Sequence, residues 1–370
     1  MIIGIDARFA IKSRRGIGNY SLNLLRYLQK LDKKNNYILY INELDLNNVL
    51  PNGENFKVQI IKPSNFILWE QVMLPYYVKR DNLNILHCLG NTAPLWLPRN
   101  LKLIVTLHDI MFLKDNIKVA GIYNLLGKVY RSFIVKKIIN KVTRLITVSK
   151  FSKQDIITNL NLSGNKINVI WESYNEEYKI LLTEMPLQVG KYILCLGAND
   201  PRKNTLMVID VFADLVANGF DGKLIIIGFK NWENSPVYKL SIKLDIGEKV
   251  IFKDYIENDE LVNYYRFATL FLYTSLYEGF GIPPLEAMAC GCPVIASNIT
   301  SIPEIVEDAA LLVSPYSKKE IYNACIKIIN DNFLRQILIE KGLKRVKVFS
   351  WEKMSIQTLN IYHELNITIN

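Results

Sequence analysis

The sequence predicts an α/β protein of two domains, each a parallel sheet with helices on both faces, and three observations lead there. Short apolar runs alternate with amphipathic stretches from one end of the chain to the other, the pattern of strands joined by crossover helices. A length of 370 residues fits two domains of ~100 to 200 residues each. Apolar residues make up 50% of the chain, enough to fill sizeable cores, which argues against wholesale disorder.

In chain order, a first series of strands is expected at 2–6, 37–41, 58–61, 84–88, 101–107, 144–148 and 167–171, in short runs dominated by Ile, Leu, Val and Tyr. After the first of these, Leu22, Leu25 and Leu28 recur on one face of a helix. Residues 172–191 are acidic and polar, contain Pro186 and Gly190, and carry neither period, so they read as the interdomain linker. A second series follows at 192–196, 223–227, 250–253, 269–273, 293–296 and 310–313. Beyond Val313 the pattern turns helical at 318–329, 332–346 and 350–365, the last with Trp351, Ile356, Leu359 and Tyr362 at helical spacing. The expected domains are 1–186 and 187–349, with a terminal helix in 350–370 returning to the first.

The net charge of +10 is unevenly placed. Residues 1–186 hold 26 basic and 14 acidic side chains, a net +12, whereas 187–370 hold 19 and 21, a net −2. The first half should therefore meet an acidic partner: an anionic membrane surface, a phosphate-bearing substrate or nucleic acid. Five scattered cysteines with no signal peptide before them argue against a disulfide framework and for a reducing cytoplasm. With three histidines in the chain, a structural zinc site is not expected. No apolar run approaches the ~18 to 20 residues of a membrane-spanning helix.

The richest stretch runs from Thr274 to Pro293. It leaves a buried strand, passes Glu278-Gly279-Phe280-Gly281-Ile282, and enters a helix at Pro283 and Pro284, which suit a first helical turn. In an open α/β sheet, ligands bind beyond the carboxyl ends of the strands. Gly279 and Gly281 let backbone N–H groups approach an anion, and the helix N-terminus adds positive potential. A diphosphate suits that environment, with Glu286 in the first helical turn accepting from a ribose diol and Glu278 nearer the reacting end. Two glutamates eight apart would by themselves read as the solvated face of a core helix; the glycines, prolines and preceding strand reverse that.

Here the sequence resembles glycosyltransferase family 4, retaining enzymes of the GT-B fold, whose signature is two glutamates around a Gly-Phe-Gly core; Glu278, Phe280, Gly281, Pro284 and Glu286 match it. The resemblance implies two Rossmann-like domains facing a central cleft, the second holding a nucleotide-diphosphate sugar and the first an acceptor. In the segment Leu196-Gly-Ala-Asn-Asp200-Pro-Arg202-Lys203-Asn204, two basic residues beside a turn would read alone as solvated; the resemblance makes Arg202 and Lys203 the diphosphate clamp. That clamp would offset charge on the leaving nucleotide without a metal, and no Asp-x-Asp metal motif occurs. Tyr255 and Ile256, after the strand at Val250, fall where family members hold the base through main-chain contacts.

In the first half, Gly16-Ile17-Gly18 follows the opening strand and its Asp6-Ala7-Arg8. A bland turn is the default reading; the resemblance makes Gly16 and Gly18 the loop that closes on the donor phosphates. Arg14 and Arg15 stand between anion contact and plain exposure. His108 ends another apolar strand, as a packed side chain or, as the resemblance implies, a contact to the transferred sugar. The basic stretch 120–141, with Ile122, Leu125, Leu126, Val129, Phe133 and Ile134 as its stripe, either lies in a membrane interface or packs on the sheet.

The resulting expectation is a metal-independent hexosyltransferase, with Glu278 and His108 catalytic, no cofactor beyond its nucleotide-sugar co-substrate, and retained anomeric configuration. It would be cytoplasmic and peripheral on a membrane's cytoplasmic face, building surface polysaccharide such as lipopolysaccharide. GDP-mannose is the first choice of donor and a saccharide or lipid-diphosphate-linked saccharide the acceptor. The alternatives are a nucleotide-sugar epimerase of the same architecture and a basic nucleic-acid binding protein. Against the latter, no helix-turn-helix, zinc finger or RNA-recognition signature occurs. No Gly-x-Gly-x-x-Gly follows either opening strand, which disfavours a Rossmann oxidoreductase.

Overall fold

A computed structural model describes residues 1–12, 16–114, 122–181 and 190–367. The chain forms two compact units: one holds the described residues up to Glu172 together with those from Ser350 on, the other the described residues between Ser173 and Phe349.

The first unit is a seven-stranded parallel sheet of β1 (Ile2–Asp6), β2 (Asn36–Ile41), β3 (Phe56–Ile60), β4 (Ile85–Cys88), β5 (Lys102–Thr106), β6 (Arg144–Thr147) and β7 (Ile167–Val169), in the order 3-2-1-4-5-6-7. Alternation along each strand sends side chains to opposite faces. Ile3, Ile5, Leu39, Ile85, Ile104 and Ile146 pack with the helix Ile17–Leu31 and the terminal helix Trp351–Ile367. Tyr40, Leu86, Cys88, Leu103, Val105 and Leu145 pack on the other face with the helices Leu74–Arg80 and Ile122–Ile138. Strands buried on both faces read as continuous apolar runs, which is why the sequence exposes them. The third strand begins at Phe56, two residues before the expected 58, because Phe56 pairs with Tyr37 and stacks its ring on it at 4.5 Å.

The second unit carries β8 (Tyr192–Leu196), β9 (Lys223–Ile227), β10 (Val250–Lys253), β11 (Leu270–Tyr273), β12 (Val294–Ser297) and β13 (Leu311–Val313), all parallel, in the order 10-9-8-11-12-13. Each sheet thus reverses its order at the centre, between β1 and β4 and between β8 and β11, leaving a crevice at the carboxyl ends of those strands.

Two expectations change. Residues 173–181 are not linker but part of the second unit, so its boundary falls at Glu172–Ser173 instead of 186–187. The reason is packing: Tyr178 is buried edge-on against Tyr265 at 6.0 Å, Glu177 accepts from Asn258, and Arg266 donates to the Lys179 carbonyl. Pro186 lies outside the described residues, as do Arg14 and Arg15. The stripe of the basic helix also does not pack as a unit: Ile134, Val135 and Ile138 face the core, while Leu125, Leu126, Val129 and Phe133 are exposed. No helix among the described residues is long and apolar enough to cross a membrane.

Candidate functional site

In the second unit, the crevice beside β8 and β11 is built by two loops. After β8 the chain makes a single 3-10 turn, Pro201–Lys203, capped by Asp200, whose side chain accepts from the Arg202 N–H. After β11 the chain runs to Gly281, which starts the helix Ile282–Ala289. The loops are joined by the Leu276 N–H donating to the Arg202 carbonyl at 2.7 Å. Gly281 has φ +118°, a conformation that favours glycine, and a Cβ there would meet Ile302 Cδ1 at 2.6 Å unless the end of that side chain shifted. Ser301 Oγ donates to the carbonyls of Glu278 and Phe280, fixing the turn from below.

At the junction, Lys203 Nζ donates to Glu278 Oε1 at 2.7 Å and lies 5.3 Å from the centre of the Tyr273 ring. Burial by itself would raise the Glu278 carboxyl; Lys203 outweighs it, with Tyr273 adding, and holds Glu278 below the usual carboxylate range. Burial likewise opposes charge on Lys203, yet Glu278 and Tyr273 keep it protonated. Arg202 folds onto Asp200, its Nε donating at 2.9 Å and its Nη2 at 2.5 Å. A pair of cations thus stands at the crevice with carboxylate counter-ions that an incoming phosphate could replace.

Glu286 behaves differently. It lies in the second turn of its helix, not the first, because the helix begins at Ile282. Among the described residues, no cation pairs with it. Burial pushes its carboxyl up to about 7, opposed by the Tyr265 hydroxyl, which donates to it at 3.2 Å. Phe280 turns its ring into the core, edge-on to Phe349 at 5.9 Å, so its side chain supports the loop and only its backbone is available to a ligand. Ile282 is half-buried at the helix start. Tyr255 and Ile256 follow β10 in an extended loop, Tyr255 with 39% of its surface exposed.

The remaining sequence-derived residues belong to the first unit. Gly16 caps the helix Ile17–Leu31 with φ +36°, and no described residue beyond its chain neighbours lies within 4 Å of where a Cβ would stand, whereas Gly18 is buried within the helix. His108 follows β5, and both ring nitrogens are engaged: Nδ1 with Glu172 Oε1 at 2.8 Å and Nε2 with the Leu89 carbonyl at 3.1 Å. Tyr20 packs edge-on at 4.8 Å. Burial disfavours the imidazolium, but Glu172 and the Leu89 carbonyl prevail, and the His108 pKa is raised. With an acceptor at each ring nitrogen, the protonated form of His108 is favoured, and the ring is held by protein groups on both sides.

Sequence reasoning missed the partner Glu172, which lay inside the supposed linker, and the network around Arg8. After β1, Arg8 Nη2 donates to Asp6 Oδ2 at 2.7 Å and to Glu70 Oε2 at 2.9 Å, with Trp69 stacked 3.8 Å from its guanidinium. Glu70 also accepts from Tyr130 and Thr92. A π-helical turn, Trp69–Met73, between the helices Phe66–Leu68 and Leu74–Arg80 turns Trp69 and Glu70 inward. One signal was available: Glu70 is the lone charge between Phe66 and Pro75, and a carboxylate so placed needs a buried partner. Among the described residues, no three His, Cys, Asp or Glu side chains come together in a set that could hold a metal ion.

Residues 187–345 match the family model "Glycosyl transferases group 1", and residues 14–177 match "Glycosyltransferase Family 4". The O-antigen chain mannosyltransferase B of Escherichia coli is 30% identical over 284 residues, 72% of each chain. The O-antigen chain mannosyltransferase RfbU of Salmonella typhimurium is 28% identical over 86% of this chain and 88% of its own. The chain spans 32% of the length of another similar protein, the serotype-specific mannosyltransferase WbdA of Escherichia coli. In fold, sucrose-phosphate synthase from Thermosynechococcus elongatus superposes over 100% of both chains with a TM-score of 0.78 at 20% identity. WaaG, a glycosyltransferase involved in lipopolysaccharide biosynthesis, covers 98% of this chain and 99% of its own, with a TM-score of 0.73 at 13% identity. Both sheets therefore have the GT-B architecture.

Proposed function

The chain belongs to the family 4 glycosyltransferases, and on that premise we propose that it moves a mannosyl residue from GDP-mannose to a saccharide or lipid-linked saccharide during surface-polysaccharide synthesis. The observation that carries the reading is the Lys203–Glu278 pair at the switch point of the second sheet, beside Arg202 and the glycine-bounded helix start. The mannosyl donor is supported by the names of the relatives.

In this reading the diphosphate takes Lys203 and Arg202 as its counter-ions, with the backbone N–H groups of 279–282 and the positive helix end beside it. Releasing Lys203 frees Glu278 to face the sugar and steady positive charge at the anomeric carbon. The acceptor hydroxyl attacks on the face the nucleotide leaves, the departing phosphate takes its proton, and the configuration is retained. Charge on the leaving group falls on the two cations without a metal. Glu286 accepts from the ribose diol, more strongly as a carboxylate than as an acid, so donor binding is favoured above its own pKa. Tyr255 and Ile256 lie at the base. The first unit holds the acceptor, with His108 and the Gly16 turn on that side. The enzyme works at the cytoplasmic face of a membrane.

A thermal-shift screen of GDP, UDP, dTDP and ADP tests the donor, since a ligand that binds only the native state raises the unfolding midpoint. GDP alone should give a large shift, and GDP-mannose with a mannan acceptor should yield an α-linked product. No shift with any of the four would refute a nucleotide-sugar enzyme; isomerisation of GDP-mannose without acceptor would replace the transferase with an epimerase.

A further inference from the structure

Two helices of the first unit carry the same unused surface pattern. On Ile122–Ile138, Leu125, Val129 and Phe133 are between 51 and 59% exposed and recur every fourth residue, followed by Lys136 and Lys137. Along 66–80, Leu68, Val72 and Tyr76 are 42 to 63% exposed at the same spacing, followed by Lys79 and Arg80. Each stripe therefore has three apolar side chains on successive turns and ends in two cations, one of which, Arg80, also pairs with Asp81. Neither stripe is the core-facing side of its helix, since Ile134, Val135 and Ile138 fill that role in one and Leu74 and Val78 in the other.

The two helices meet. Tyr130 reaches across to Glu70, its hydroxyl donating at 2.6 Å, and packs edge-on against Phe66 at 5.6 Å. Just past the end of Ile122–Ile138, Lys141 Nζ lies 5.3 Å from the ring of Trp96, which is 76% exposed, and donates to the Leu95 carbonyl. Segments 66–80, 91–102 and 122–144 together hold ten Lys and Arg against one carboxylate, Glu70, which is buried on Arg8. Exposed apolar side chains gathered on neighbouring elements mark a surface that meets something. Cations among them select an anionic occupant, and Trp and Tyr suit the boundary between headgroups and acyl chains.

We propose that this paired stripe is a docking surface for an anionic lipid bilayer, with Val129, Phe133, Val72 and Tyr76 entering the headgroup boundary and Lys136, Lys137 and Lys141 resting on the lipid phosphates. It deepens the reading of a membrane-side transferase, but lipid binding needs no sugar, so either can fail alone. Each Lys or Arg near such a surface contributes about 1 kcal/mol, lost as salt screens it.

The test is cosedimentation of the full chain with vesicles of phosphatidylcholine alone or mixed with phosphatidylglycerol, at low and high salt. The expected result is binding to the mixed vesicles that weakens with salt, at least about tenfold weaker in Val129→Ser/Phe133→Ser and in Lys136→Glu/Lys137→Glu. All these side chains are solvent-facing, so both variants should keep the wild-type unfolding midpoint and its shift with GDP, separating loss of lipid from loss of fold or donor. No binding to anionic vesicles overturns the proposal, as does equal binding by the variants. Self-association of the wild type that V129S/F133S abolishes, with no vesicle binding, would reassign the surface to a second copy of the chain.

Discussion

The two switch-point crevices share a strand order but not a use. In the first unit the charges after β1 are closed off: Arg8, Asp6 and Glu70 expose no more than 3% of their side chains, and each is committed to the others. In the second unit, Lys203 and Glu278 expose 25 and 15%, and Arg202 and Asp200 22 and 35%. A closed network fixes the shape of a loop, because removing one member leaves buried charge without an answer. An open one can exchange a carboxylate for a phosphate of similar geometry. The difference separates architecture from binding within one repeated topology.

The most damaging way to break this comparison is at Arg8. Arg8→Met leaves Asp6 and Glu70 facing each other in the core, and the expected loss is about 3 to 5 kcal/mol of stability in denaturant unfolding. Lys203→Ala should do the reverse, leaving the midpoint within about 1 kcal/mol while lowering kcat by about 100- to 1000-fold through loss of leaving-group stabilisation. Equal destabilisation by both would erase the distinction.

Glu286→Gln sharpens it. Burial raises this carboxyl to about 7, so the folded chain binds the proton more tightly than the unfolded one. The wild type is therefore steadiest below the ordinary value of 4.5 and loses stability as pH climbs to about 7. The glutamine should remove that slope and gain on the order of 2 to 3 kcal/mol above pH 7, while nucleotide affinity falls about tenfold. Urea unfolding at pH 5 and pH 8, with titration of GDP, checks both. The smallest effect belongs to His108→Gln. A raised histidine contributes stability that is whole below its ordinary value of 6.5 and fades as pH rises through the folded value. The variant should be less stable than the wild type at pH 6, by on the order of 1 kcal/mol, and the difference should shrink as pH rises. If it lost activity with no change in this profile, a direct sugar contact would be favoured over an ion-pair role.

Much of the fold was legible because it is local. The strands at Ile2–Asp6 and Lys223–Ile227 declare themselves by short stretches rich in Ile and Leu, and Gly281-Ile282-Pro283-Pro284 marks a helix start by turn chemistry. What stayed hidden depends on distant partners. Nothing near Glu172 names His108, 64 residues away, and nothing near Tyr178 names Tyr265. Periodicity likewise gave the stripe Leu125, Val129 and Phe133 but not its direction, since a helix with apolar residues on two faces must leave one uncovered. Phe280 matched the family signature and proved to be core, a reminder that a motif residue can serve the loop without touching the ligand.

The central claim, that Lys203 at the second switch point holds a diphosphate, is met most directly by calorimetric titration of GDP and of guanosine into the wild type and Lys203→Ala. The account predicts that GDP binds the wild type, that guanosine binds far more weakly, and that the variant loses about tenfold to a hundredfold for GDP with guanosine unchanged. Equal GDP affinity in the two proteins would contradict it.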